Sequence, residues 1–231
     1  MKTIGLLGGM SWESTAEYYR IANETVRERL GGFHSARLIV DSVDFADIEE
    51  LQRAGRWDDA GMLLASRAAA LEAAGAEVIL LCTNTMHLVA ADIEAAVTVP
   101  LLHIADATAA AVARAGVTTV ALLGTAFTMR RPFLRERLSS HGLTVLVPDE
   151  RDIDAVHGVI YAELVHGVVT DESRALFRGV IDRLVARGAE GIILGCTEIE
   201  LLVGAGDSPV PVFPTTRIHI VAAVDAALDA I

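Results

Sequence analysis

A chain of 231 residues, 52% hydrophobic and 22% charged, has apolar material for two small domains and is too apolar for disorder. Its formal net charge of −12 argues against nucleic-acid backbones and anionic membrane surfaces as partners, although a few local amides can reverse the field around a small anion. No apolar run approaches the roughly 18 residues of a membrane span, residues 1–10 lack the marks of a signal peptide, and two distant cysteines make no zinc cluster, so a cytoplasmic, metal-free protein is expected.

In chain order, Ile4-Gly5-Leu6-Leu7 reads as a buried strand ending in Gly8-Gly9, and Leu38-Ile39-Val40 as a second. Trp12, Tyr18 and Tyr19 between them are expected to build a helix and close a cleft. Asp44, Asp47, Glu49 and Glu50 read as a solvated acidic face. Helical spacing follows over residues 60–74, then the strand Val78-Ile79-Leu80-Leu81, then helical spacing over residues 105–115. Strands at Val120-Ala121-Leu122-Leu123 and Thr144-Val145-Leu146-Val147, a helix over residues 173–187 and a strand at Ile192-Ile193-Leu194 complete the pattern. Runs apolar on both faces and separated by helices imply parallel strands covered on both sides, an α/β class.

The chain also resembles itself. Residues 2–8 match 118–124, residues 75–81 match 188–194 without gaps, and Val99-Pro100 recurs as Val210-Pro211. Three collinear matches imply a duplication, hence two pseudo-symmetric parallel-sheet domains with a substrate cleft between them. The expected division is 1–100 plus 212–231 against 101–211. Ligands of open parallel sheets bind beyond the carboxyl ends of the strands. That rule selects Gly8-Gly9-Met10-Ser11, Cys82-Thr83-Asn84-Thr85, Gly124-Thr125 and Gly195-Cys196-Thr197-Glu198. These segments are rich in the glycines, hydroxyls and amides that hold a carboxylate. The glycine pair after the first strand lacks the rest of a dinucleotide fingerprint, since Glu13 and Ser14 stand where a third glycine is needed.

Cys196 follows a buried strand and precedes an expected helix start, where unpaired amides favour a thiolate. The bland alternative is a small hydrophobe at a strand end. Carrying the repeat forward sets Cys82 opposite Gly195 and Thr83 opposite Cys196. A one-residue shift turns a strand side chain to the other face, so Thr83 should share the orientation of Cys196 and Cys82 should be buried or supporting.

Ile4-Gly5-Leu6-Leu7-Gly8-Gly9-Met10-Ser11-Trp12, Cys82-Thr83-Asn84-Thr85-Met86-His87 and Gly195-Cys196-Thr197-Glu198 together resemble the aspartate/glutamate racemase family, nearest its broad-specificity bacterial branch. The resemblance covers nearly the whole chain. It implies two α/β domains, often in a homodimer, and racemisation of an amino acid by two opposed thiols with no cofactor. The family's first cysteine directly precedes Asn-Thr, and here that place is held by Thr83. Its hydroxyl is too weak an acid to form a useful base near neutrality but can relay a proton in the protonating direction. A kinetically one-sided enzyme with Cys196 as principal base is therefore expected. The resemblance further implies that Met10, Ser11, Asn84, Thr85, Thr125 and Thr197 hold the α-carboxylate. Glu198 either orients Cys196 or caps its helix, and His87 is either structural or an acid–base group.

Dedicated aspartate racemases of the family hold the side-chain carboxylate with an arginine at the place of Ile48 and a lysine near Val165 or His166. The absence of both weakens the case for aspartate; His166, Arg53 and Arg20 are the substitutes at hand. The alternatives are a one-thiol decarboxylase, a hydantoin racemase, or an amino-acid sensor that lost catalysis with its first thiol.

Overall fold

A computed structural model describes residues 1–229. They fall into two compact units, Met1–Ile104 with the chain from His219 onward, and Ala105–Ile218. The first unit carries four parallel strands, β1 (Ile4–Gly8), β2 (Leu38–Ser42), β3 (Val78–Leu81) and β4 (Leu101–Leu102), in the order β2-β1-β3-β4. The second carries β5 (Thr119–Gly124), β6 (Thr144–Leu146), β7 (Gly191–Gly195) and β8 (Val212–Pro214), in the equivalent order β6-β5-β7-β8.

The first sheet separates two cores by strand alternation. Leu7, Ile79 and Leu81 face the helices Phe45–Arg53 and Trp57–Ala73. Ile4, Leu6, Val78 and Leu80 face the helices Trp12–Leu30 and Thr215–Leu228. Each Leu or Ile fully buried in this way contributes about 1.5–3 kcal/mol relative to exposure. In the second unit Ala121, Leu123, Ile192 and Leu194 pack on the helices Glu150–Ala162 and Asp171–Ala186.

The duplication holds at the level of single hydrogen bonds. Glu77 donates its amide to the Thr3 carbonyl at 2.8 Å, and Glu190 donates to the Thr119 carbonyl at 2.8 Å. The Ile79 amide meets the Pro100 carbonyl at 2.9 Å, as Ile192 meets Pro211 at 2.9 Å. The repeated Gly-Ala-Glu has a use in both places. The Glu77 carboxylate accepts the Thr3 amide, and Glu190 accepts those of Thr118 and Thr119, pinning the start of the neighbouring central strand.

Three expectations are corrected. β2 is an edge strand with Val40 44% exposed, so only the inner strands are apolar on both faces. β4 and β8, which periodicity does not reveal in so few residues, pair with β3 and β7. Because those pairings keep residues 101–102 in the first sheet and 212–214 in the second, the units divide after Ile104 and Ile218 rather than after residues 100 and 211.

Candidate active site

In the first unit the selected segments lie at the carboxyl ends of β1 and β3. Gly9 has φ +91°, and its added Cβ would collide with the Val43 backbone, so glycine is required at this turn. The Gly9 amide donates to Thr15 Oγ1 at 2.8 Å, and Ser11 caps the helix Trp12–Leu30 by accepting the Ser14 amide. Ser14 Oγ then donates to the Cys82 carbonyl at 3.2 Å, which joins the Met10-Ser11 turn to the end of β3. Met10, Ser11, Asn84 and Thr85 are all buried there, and Thr83 is half-buried.

Cys82 is fully buried among Ile4, Leu6, Tyr18 and Leu80, and burial pushes its thiol far above the ordinary range. Its counterpart Gly195 is also buried, and a Cβ there would lie 3.0 Å from the Leu123 carbonyl oxygen. Cys196, counterpart of Thr83, lies instead in the cluster of Ile192 and Leu194. Cys82 therefore has the packing of a small hydrophobe.

His87 donates from Nδ1 to the Thr83 carbonyl at 2.7 Å, and its Nε2 accepts the Ile104 amide at 3.2 Å. A carbonyl cannot donate and an amide cannot accept, so these partners fix a neutral ring protonated on Nδ1. Both nitrogens have backbone partners, the arrangement of a structural histidine.

In the second unit Thr125 ends β5 and Cys196-Thr197-Glu198 follow β7, in register through Gly124 and Gly195. Thr125 caps its helix by accepting the Thr128 amide, and the following Ala126 amide donates to His157 Nδ1 at 3.3 Å. Cys196 Sγ donates to Glu198 Oε2 at 2.9 Å, and Thr197 Oγ1 donates to the same oxygen at 2.8 Å. Burial first, and then the Glu198 charge, push the Cys196 thiol well above its usual value. The amides of Glu198 and Ile199 pull it the other way and are outweighed. The expected thiolate at a helix start is thus corrected. The helix Ile199–Leu202 has four residues, too short to oppose a carboxylate at hydrogen-bond distance.

Ile48 is fully buried in the core beside Leu51 and Met86. Arg53 and His166 are exposed, and Arg20 is held on the surface by Glu17 and Glu24 at 2.6 Å each. Trp12 and Tyr19 are exposed on their helix, while Tyr18 is buried with its hydroxyl 2.9 Å from His219 Nδ1. The roles of His219 and His157 have no local sequence signal, since their partners lie 201 and 31 residues away. No group of three or more His, Cys, Asp or Glu side chains able to hold a metal occurs among the described residues. No helix among them is long and apolar enough to cross a membrane.

Comparison with known proteins agrees across the whole chain. The family model described as Asp/Glu/hydantoin racemase matches residues 7–223. A candidate Asp/Glu racemase from Yersinia pestis is 55% identical, with 99% of this chain and 100% of that one covered and a TM-score of 0.94. An aspartate racemase homologue from Pyrococcus horikoshii is 36% identical, with 99% and 100% covered and a TM-score of 0.87. Glutamate racemase from Francisella tularensis, solved with D-glutamate, shares the fold at 12% identity, with 99% and 82% covered and a TM-score of 0.66.

Proposed function

This chain belongs to the Asp/Glu/hydantoin racemase family, and we propose that it racemises an amino acid without a cofactor, with Cys196 as principal acid and base and Thr83 in the second role. The observation that carries this reading is the 2.9 Å contact of Cys196 Sγ with Glu198 Oε2. A thiol held protonated by burial and a facing carboxylate is an acid ready to return a proton to carbon. When its proton passes to Glu198, the thiolate left behind is more basic than an ordinary cysteine's, which suits a weak carbon acid. Glu198 thus has a definite task as acceptor of the thiol proton.

Ser11, Asn84, Thr85, Thr125 and Thr197, with the Met10 backbone, are assigned to the α-carboxylate. Donors there stabilise the charge that spreads into the carboxylate as the α-proton leaves. The substrate is a neutral or moderately polar amino acid used at least as well as aspartate, because Ile48 occupies core and offers no cation. Thr83 makes the enzyme one-sided in rate only, since catalysis leaves the equilibrium between free enantiomers unchanged. The working form is a cytoplasmic homodimer.

A panel of single enantiomers in heavy water, analysed for α-deuterium and for chirality, tests the proposal. Label should enter at least one amino acid in the wild type and none in Cys196→Ala, with both proteins folded. Exchange by Cys196→Ala near the wild-type rate would remove the central claim. The burial of Cys82 favours one further reading, a one-thiol decarboxylase that protonates a carbanion on a single face. Release of carbon dioxide from a substituted malonate, with no label in any amino acid, would establish it instead.

A further inference from the structure

We propose that His87 is the positioning residue of the Thr83 side of the site, holding Thr83 by its own carbonyl oxygen; this rests on the racemase reading above. The backbone leaves β3 abruptly, for the Thr83 amide turns back to the Leu81 carbonyl at 2.9 Å. In an α-helix the Thr83 carbonyl would then receive the amide of residue 87. Here that amide goes to the Asn84 carbonyl at 3.2 Å, in the tighter turn Thr85–Val89. The imidazole of the same residue takes the vacated place, with Nδ1 2.7 Å from the Thr83 oxygen. A side chain thereby sets the orientation of the peptide that carries Thr83.

The other end of the ring is anchored. Nε2 accepts the amide of Ile104, the first residue of the helix Ile104–Arg114, an amide with no acceptor inside that helix. The neighbouring Leu102 carbonyl accepts from His219 Nε2 at 2.7 Å, and His219 Nδ1 accepts from Tyr18. The His87 ring also lies against His103, with centroids 4.4 Å apart. Residues 102–104 are thus gripped by two histidines, and through His87 they brace the turn at Thr83. His87 reaches the reaction only through Thr83, since neither of its nitrogens can exchange a proton without losing a backbone partner.

Isotope exchange separates this role from plain stability. Cys196 acting alone can wash deuterium into one enantiomer without inverting it, whereas inversion also requires the Thr83 side. His87→Asn keeps a donor within reach of the Thr83 carbonyl but not of Ile104. His87→Gln reaches towards Ile104 and cannot donate back to Thr83, and His87→Leu can do neither. With folding verified by circular dichroism and melting, the ratio of inversion to same-side wash-in should fall about tenfold or more in His87→Leu and His87→Gln. It should stay near the wild-type ratio in His87→Asn. If His87→Leu does not fold, the Asn and Gln variants carry the comparison alone. A wild-type ratio in His87→Gln, or a loss in His87→Asn matching that in His87→Gln, would overturn the inference. A wild type that neither exchanges nor inverts any amino acid overturns the proposed function as well, whereas an active wild type with an unchanged ratio in His87→Gln overturns this inference alone.

Discussion

Glu198 Oε2 lies 2.9 Å from Cys196 Sγ, two residues before it in the chain. The carboxylate has two opposed effects on the thiol. Its charge adds to burial in holding the proton on sulfur, and its oxygen is the nearest acceptor once that proton must leave. Removing the charge should therefore ease ionisation while depriving catalysis of the acceptor.

Glu198→Gln should accordingly move two measurements in opposite directions. The pH midpoint for alkylation of Cys196, followed by mass spectrometry, should shift to lower pH because the charge that raises the thiol is gone. The α-deuterium exchange rate should fall about a hundredfold. Exchange at the wild-type rate, with or without the alkylation shift, would mean that Glu198 is not the acceptor of the thiol proton.

Cys82→Ala should lose about 1–2 kcal/mol of stability, from the apolar volume removed beside Ile4, Leu6 and Leu80. Its exchange activity should remain within a few-fold of wild type. Urea unfolding and isotope wash-in on one preparation decide the matter. A folded variant as inactive as Cys196→Ala would transfer the second acid–base role from Thr83 to Cys82.

Thr83→Cys places a second thiol at the position related by the repeat to Cys196. The ratio of inversion to same-side wash-in should rise, because a thiol gives and takes a proton near neutrality more readily than a hydroxyl. A ratio unchanged from wild type would argue that residue 83 takes no part in proton transfer.

Glu190 illustrates a purely structural carboxylate with a measurable pH signature. Hydrogen bonds from the Thr118 and Thr119 amides, then from the Thr118 hydroxyl, hold it below its ordinary value of 4.5. The folded state thus binds fewer protons than the unfolded one between those two values. The stabilisation is complete above 4.5 and is lost as pH falls through the lower folded value. Glu190→Gln should lower the urea midpoint near neutrality and flatten its decline below pH 4.5, modestly because the group is exposed. Parallel pH profiles for the two proteins would show that the clamp adds nothing.

The sequence by itself determined the α/β class, the duplication and the burial of Cys82. Each depends on local pattern, since strand alternation turns neighbouring side chains to opposite faces and a repeated motif keeps its hydrogen bonds. The Gly-Ala-Glu pair is the clearest instance: Glu77 and Glu190 were legible as equivalent before either had a partner. Only the tertiary structure decided that β4 and β8 are strands, because two or three residues carry no period and are held by pairing with β3 and β7. It likewise decided the state of the Cys196 thiol. A helix start written in sequence favours the thiolate, but burial and a carboxylate at 2.9 Å outweigh four residues of helix. The tautomer of His87 was equally out of reach of the motif that contains it. Thr83 lies four residues away and suggests one hydrogen bond, whereas the Ile104 amide that fixes the other nitrogen arrives from the far side of β4. A proton's location depends on what faces the group in space, and that is settled only when distant segments pack.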